Sequence, residues 1–366
     1  MATEVIRVVD PDSGSGYHYD SLSDWEADLG DTTTGDLPTD DMIATAKCRC
    51  TGGTADTTAV TIDGWTTDST RYIKVWTDPT ESYRHAGTYP TGNKYRIEAA
   101  VGSWGAVISS EESYVRVIGI AVYLRYADEG QTAAVSINAY SGESYISANI
   151  CKMEDGYQSG IGIRTAGGTA YIYNNIIYGF DNFDSGSLSS GGIAGTKYSD
   201  GTAYVYNNTL VDCDSGLISQ DENGGTIYAK NNLCYSCGVP AVGEFAAGTD
   251  YNATDAAAMG YTVVGGGNTH DELSQTLTFA GTSDYHLAAT DAGAKGYGVN
   301  LYNDANLPFQ DDIDGEDRGG SGATWDIGAD ELILVITQEG FRFRNDDGDE
   351  DGATWKAAEN VDIYVQ

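Results

Sequence analysis

The sequence predicts an all-β chain wound into stacked coils, and three observations carry that prediction. Four segments align without gaps: YISANICKM from Tyr145, YIYNNIIYG from Tyr171, YVYNNTLVD from Tyr204 and YAKNNLCYS from Tyr228. A second short strand with a glycine entry recurs upstream of three of them, as SGIGI at Ser159, GGIAG at Gly191 and SGLIS at Ser215. The composition, with 47 Gly and 26 Tyr against 6 Pro, favours many short strands and tight turns over helices. Self-similarity of this kind marks a repeat architecture in which each unit buries its apolar face only against its neighbours.

The fifth position of each segment is an asparagine: Asn149, Asn175, Asn208 and Asn232, spaced 26, 33 and 24 residues apart. Fixed strands joined by loops of variable length produce such uneven spacing. Neighbouring residues of a strand face opposite sides. Ile146, Ile172, Val205 and Ala229 therefore point inward, while Tyr145, Tyr171, Tyr204 and Tyr228 point outward. Two residues past the anchors lie Cys151, Ile177, Leu210 and Cys234, again apolar. Both apolar columns face inward only if the chain bends near the anchor, and Asn tolerates the left-handed conformation that a bend requires. Stacked Asn amides also bond from rung to rung. The expected fold is thus a single-stranded right-handed parallel β-helix spanning residues 61–331. An N-terminal cap covers residues 1–60: VIRVV as a strand, SLSDWEADLG as a short amphipathic helix N-capped by Ser21 or Ser23, and MIATAKCRC as a second strand. Residues 332–366 read as a short C-terminal β extension or truncated β-sandwich module, too short to close a core alone.

The stretch from Thr61 to Glu331 resembles the pectate-lyase-like superfamily of right-handed β-helices. Its ending, DYHLAATDAG followed by DIDGEDRGGSGATWDIGADE, resembles the last coil of β-helix proteins found on bacterial surfaces and in phage-like genomes. In that setting Asp314, Arg318 and Asp326 look like a closing polar cluster. The polygalacturonase branch pairs its aspartates with Gly-His-Gly and Arg-x-Lys motifs, which this sequence lacks. Lyases of the superfamily abstract a proton with Lys or Arg beside carboxylate-bound calcium. The basic residues of the central coils, Lys152, Arg164, Lys197 and Lys230, match no such motif.

Charge narrows the partners. Against 19 Lys and Arg stand 55 Asp and Glu, a net charge of -36, which disfavours nucleic acid and anionic membrane surfaces. No apolar run is long enough to span a membrane, and the start MATEVIRVVDPDSGSG carries no secretory signal. Carboxylates suited to acid and base roles are Asp181 and Asp184 after one anchor and Asp212 and Asp214 after the next, expected on one face of adjacent coils. Asp312, Asp314 and Asp317 around Gly315 form a possible structural Ca²⁺ turn; Asp347, Asp349 and Asp351 resemble an EF-hand start without the closing Glu in place. Cys234 and Cys237 form a CxxC, but Cys234 shares an apolar column and reads as a small buried hydrophobe, while Cys213 and Cys237, stacked one rung apart with parallel Cβ vectors, make poor disulfide geometry and are expected as free thiols. The outward tyrosines, Tyr171 and Tyr173 beside Tyr204 and Tyr206 and extended by Tyr145 and Tyr228, form an aromatic patch suited to sugar rings or a partner protein.

These readings favour a non-catalytic β-helix on a virion or cell surface, for adhesion, glycan binding or particle decoration. The alternatives are a polysaccharide lyase or glycoside hydrolase on the same scaffold, and a purely structural assembly protein. The expected partner is a glycan or a cell-surface or virion protein. Self-assembly would proceed through the C-terminal extension.

Overall fold

The computed structural model describes residues 2–32, 34–127, 132–154, 159–181, 190–195, 201–219 and 225–332. The chain divides into two units, Met1–Leu332 and Ile333–Gln366. The expected C-terminal extension, with Asp347, Asp349 and Asp351, lies outside the described residues, as do Asp184 and Lys197.

The first unit is a parallel β-helix with three faces. Sheet I stacks Thr3–Val9, Met42–Cys48, Ile73–Trp76, Val115–Ile118, Glu143–Ser147, Thr169–Tyr173, Thr202–Tyr206 and Thr226–Lys230. Sheet II runs from Arg96–Val101 through Ile150–Met153, Ile176–Tyr178, Thr209–Val211 and Leu233–Tyr235 to Ala253–Thr254. Sheet III runs from Val60–Ile62 through Thr132–Asn138, Gly160–Ala166, Gly191–Gly195 and Ser215–Ser219 to Val239–Val242. Each coil passes from sheet III to sheet I to sheet II, and neighbouring coils pair in parallel. Tyr145, Tyr171, Tyr204 and Tyr228 fall in exact register.

Both predicted apolar columns line one continuous core. Ile146, Ile172, Val205 and Ala229 meet Cys151, Ile177, Leu210 and Cys234 there, all buried. The recurrent glycines of sheet III answer to this packing. A Cβ on Gly162 would lie 2.3 Å from the Ile177 side chain, and one on Gly192 2.1 Å from that of Leu210. Bare backbone on one face thus makes room for the branched side chains of the next.

The bend between sheets I and II falls one residue earlier than the anchor asparagines. Ala148, Asn174, Asn207, Asn231 and Tyr251 take the left-handed conformation, with φ between 49° and 62°. Each anchor then turns inward, fully buried. The Asn175 Oδ1 accepts the Asn149 backbone N–H at 3.0 Å and its side-chain amide at 3.0 Å. Asn208 accepts the same two bonds from Asn175, and Asn232 from Asn208. The ladder continues beyond the four anchors. Asn252 accepts from Asn232, and Asp271 ends the series by accepting the Asn252 N–H at 2.9 Å. A carboxylate fits the last position because that residue needs only to accept.

The expected N-terminal strands are the first rungs of sheet I, since Thr3–Val9 pairs with Met42–Cys48 and the latter with Ile73–Trp76. Between them helix Leu22–Ala27 is capped by Ser21, whose hydroxyl accepts the Asp24 N–H at 3.0 Å. Its apolar face closes that end of the core: Leu22 and Trp25 are fully buried, and Trp25 stacks on Trp65 at 5.5 Å. The buried Asp56 carboxylate ties the helix to the coil by accepting from Leu22 N and the Tyr95 hydroxyl.

Replacing a ladder amide by an isosteric apolar group leaves its neighbours' donors and acceptors unpaired in the core. Asn208→Leu should therefore lower unfolding free energy by roughly 1–3 kcal/mol, read by chemical denaturation. Asn207→Gly keeps the left-handed bend available and removes bonds only on the outer side, so the Asn175 N–H, which ends on the Asn208 side chain, should stay protected from hydrogen exchange in that variant and lose protection in Asn208→Leu; equal loss in the two variants would contradict the register.

Candidate functional site

The outer face of sheet I carries a regular column of stacked tyrosines. Tyr145 stacks on Tyr171 with ring centroids 4.6 Å apart, Tyr171 on Tyr204 at 5.5 Å and Tyr204 on Tyr228 at 5.0 Å, with planes within 23° of parallel. Parallel in-register strands dictate this spacing, because successive rungs sit about 4.8 Å apart. Arg116 occupies the same column one rung earlier and lies over Tyr145 at 5.0 Å and over Tyr72 at 3.6 Å. The ring faces are consumed by one another, so the ladder offers solvent a row of ring edges and hydroxyls. All four rings are half-buried. The Tyr145 hydroxyl donates to Glu143 and that of Tyr204 to Asn306, both at 3.3 Å.

The second tyrosine column differs from the expected exposed patch. Tyr206 is fully buried in a cluster with Leu301, Leu307, Phe309 and Trp325, and Tyr173 packs on Phe309 at 5.0 Å. A C-terminal strap, residues 298–331, lies over it. The strap is held by the bend residues that precede the ladder. Asn207 donates to the carbonyls of Asp326 and Gly328 at 3.1 and 3.0 Å, Asn174 to that of Asp311, and Asn231 exchanges bonds with Val299. Asn207, placed outside the inner ladder by the sequence, is thus fully buried and bonded all the same. The Asn-Asn doublets in three of the four repeats were the available signal: one amide faces in, its neighbour faces out.

Arg318 locks the strap. It is 2% exposed and donates to the carbonyls of Asp311, Gly328 and Ala329, to the Asn174 side chain and to Glu331. Of its expected companions, Asp326 accepts instead from Gly296 and Leu332 N–H groups, and Asp314 turns to a histidine.

Of the carboxylates singled out for catalysis, Asp181 and Asp212 are exposed and Asp214 is 7% exposed, while Asp184 lies outside the described residues. All six cysteines are free thiols; Cys48, Cys50, Cys151, Cys213 and Cys234 are buried and Cys237 is half-buried.

The acidic turn around Gly315 also separates. Asp312 is buried and accepts from the backbone of Asp314, Glu316 and Glu331, while Asp317 is exposed and accepts from Gly319. Asp314 instead reaches His286, whose Nε2 lies 3.0 Å from its Oδ2. The other imidazole nitrogen bonds Asp284. Burial opposes charge on this ring, yet the two carboxylates carry its pKa up to about 10, so the free chain holds it as a cation. Gly87 packs against the ring with φ +61°, where a Cβ would lie 1.9 Å from Nε2. His85, on the same loop, is fully enclosed and bonds the Ala148 carbonyl at 2.9 Å; burial drives its pKa down to about 3, leaving it neutral. No sequence pattern announced this junction.

No known family model matches the chain, and no curated protein is significantly similar to it. Among the described residues no helix is long and apolar enough to cross a membrane.

Because Arg318 satisfies several buried carbonyls at once, Arg318→Met should destabilise strap docking by roughly 3–5 kcal/mol. Limited proteolysis should then cut within residues 299–325 under conditions that leave the wild-type chain intact, and an unchanged digest would remove Arg318 from this role.

Proposed function

We propose that the chain is a non-catalytic β-helix, displayed on a virion or cell surface, that attaches to a glycan through the tyrosine ladder of sheet I. The observation that carries this reading is the half-exposed, in-register row of Tyr145, Tyr171, Tyr204 and Tyr228. A row of hydroxyls repeating at the rung spacing suits an extended polymer that repeats its own hydroxyls, and edges of aromatic rings supply apolar contact between them. Each ring is fixed by its neighbours, so little side-chain freedom is lost on binding. The expected companions Tyr173 and Tyr206 belong to strap packing, and the contact surface is a single column. The resemblance to the pectate-lyase-like superfamily and to phage and bacterial surface proteins supports display and sugar recognition. The exposed-and-buried split of Asp212 and Asp214 argues against a paired acid and base at that turn.

Truncating a ladder residue to alanine would break stacks worth about 0.5–1.5 kcal/mol each and confuse binding with folding. Tyr171→Phe with Tyr228→Phe keeps the stacks and removes two hydroxyls with no bonded partner among the described residues. The double variant should keep its melting temperature and lose binding on a glycan array by at least tenfold. Unaltered binding would sink the ladder as the attachment site. Shortened glycan products would transfer the function to a lyase or hydrolase, and the absence of any bound glycan to a purely structural assembly role.

A further inference from the structure

We propose that His286, Asp314 and Asp330 form a site for a divalent transition-metal ion, with Asp284 as the outer carboxylate that orients the imidazole. The three residues come from three different pieces of chain. His286 lies in the antiparallel pair Phe279–Gly281 and Asp284–Leu287, Asp314 in the turn after Asp312, and Asp330 in the part of the strap that docks on the outer asparagines. A potential ligand atom of each lies within 4.8 Å of the other two.

The internal geometry favours an ion. With His286 Nε2 and Asp314 Oδ2 3.0 Å apart, an ion about 2.1 Å from both would subtend an angle near 90°, as in five- and six-coordinate sites. The other oxygen of Asp314 is shielded from solvent and has no hydrogen-bond partner. A buried carboxylate oxygen left unpaired is costly, and a cation is the partner that removes the cost. Asp330 is 7% exposed, and its Oδ2 accepts the Leu287 N–H at 2.7 Å, which fixes the carboxylate beside the ring and leaves the second oxygen for an ion. Asp284 holds the proton on Nδ1, so that Nε2, once it gives up its own proton, presents its lone pair to the carboxylates, the arrangement by which metal-bound histidines are held.

Donor chemistry selects the ion. One imidazole nitrogen with two carboxylates suits Zn²⁺, Mn²⁺ or Co²⁺, whereas Ca²⁺ takes oxygen ligands. Closure requires a small rotation of the Asp330 carboxylate. The exchange balances: the Nε2 proton that now bridges to Asp314 leaves to solvent, the nitrogen lone pair binds the ion, and one proton is released per ion bound. The ion would tie the hairpin to two separate segments of the strap, the acidic turn and the stretch around Asp330, at a place where no sheet ladder joins them.

The test is isothermal titration of the full chain, stripped with chelator, with ZnCl₂ at fixed ionic strength, in two buffers of different ionisation enthalpy. One Zn²⁺ per chain should bind with proton release, and the melting temperature should rise. His286→Gln should abolish the stoichiometric site. Asp284→Asn, which leaves every ligand in place, should weaken it by about 10–100-fold. His270→Gln, at an exposed histidine paired with Asp250, should leave it unchanged. Co²⁺ bound to the wild type should show d–d absorption that the His286→Gln chain lacks; should that variant fail to fold, Asp284→Asn and the Co²⁺ spectrum carry the test. Binding equal in all variants, a Ca²⁺ preference over Zn²⁺, or no stoichiometric binding at millimolar Zn²⁺ would each overturn the site.

Discussion

The fold depends on a single repeated interaction, the buried amide that accepts two bonds from the rung before it and donates to the coil backbone. A β-helix must turn its chain sharply between sheets at every coil, and each turn exposes backbone groups that would otherwise face an apolar core unpaired. The inner ladder answers that need. Asn175 receives the Asn149 backbone and amide, and its own amide bonds Ile146, Tyr173 and Asn208. Each member is satisfied only when both neighbours are present, which makes the register of the coils self-consistent. The glycines of sheet III follow from that register on three successive rungs, where the bare backbone of Gly162, Gly192 and Gly216 meets the side chains of Ile177, Leu210 and Cys234.

The same bend generates a second use of asparagine. The residue before each anchor takes the left-handed conformation, which Asn tolerates better than most residues, and its side chain then points away from the core. Three such amides stand in a column and dock the irregular C-terminal strap. The strap in turn buries Tyr206 and Trp325 and packs on Tyr173, and leaves the outer tyrosine column half-exposed. The surface offered to a ligand is therefore set by the corner residues, several ångströms from the tyrosines themselves.

What was legible in the sequence is what repeats. Strand parity located both apolar columns, the tyrosine column and four ladder members, because period-two alternation survives changes in loop length. Asn252 and Asp271 escaped, since their coils are only 20 and 19 residues long and lack the tyrosine four residues before the anchor that marked the others. The two strands of the expected cap pair into sheet I, and nothing in VIRVV or MIATAKCRC carries the Asn signal that identifies a coil. The strap was illegible for a deeper reason. Its backbone has no period, and its partners lie far off in sequence, as with Arg318 and Asn174 at 144 residues or His286 and Asp314 at 28. Such pairings are decided by packing after the coils exist.

The inner ladder stands at the highest level of stability and the strap below it, and residue-resolved hydrogen exchange of the native chain measures that order directly. The backbone N–H groups of Asn175, Asn208 and Asn232 each end on the next ladder oxygen. They should exchange with one common, maximal free energy, through global unfolding alone. Gly328 and Ala329, whose N–H groups bond Asn231 and Thr209, should exchange sooner through release of the strap. Ladder amides that exchange as fast as those of the strap, or that differ widely among themselves, would contradict the claim that the ladder is what the rest of the molecule is built on.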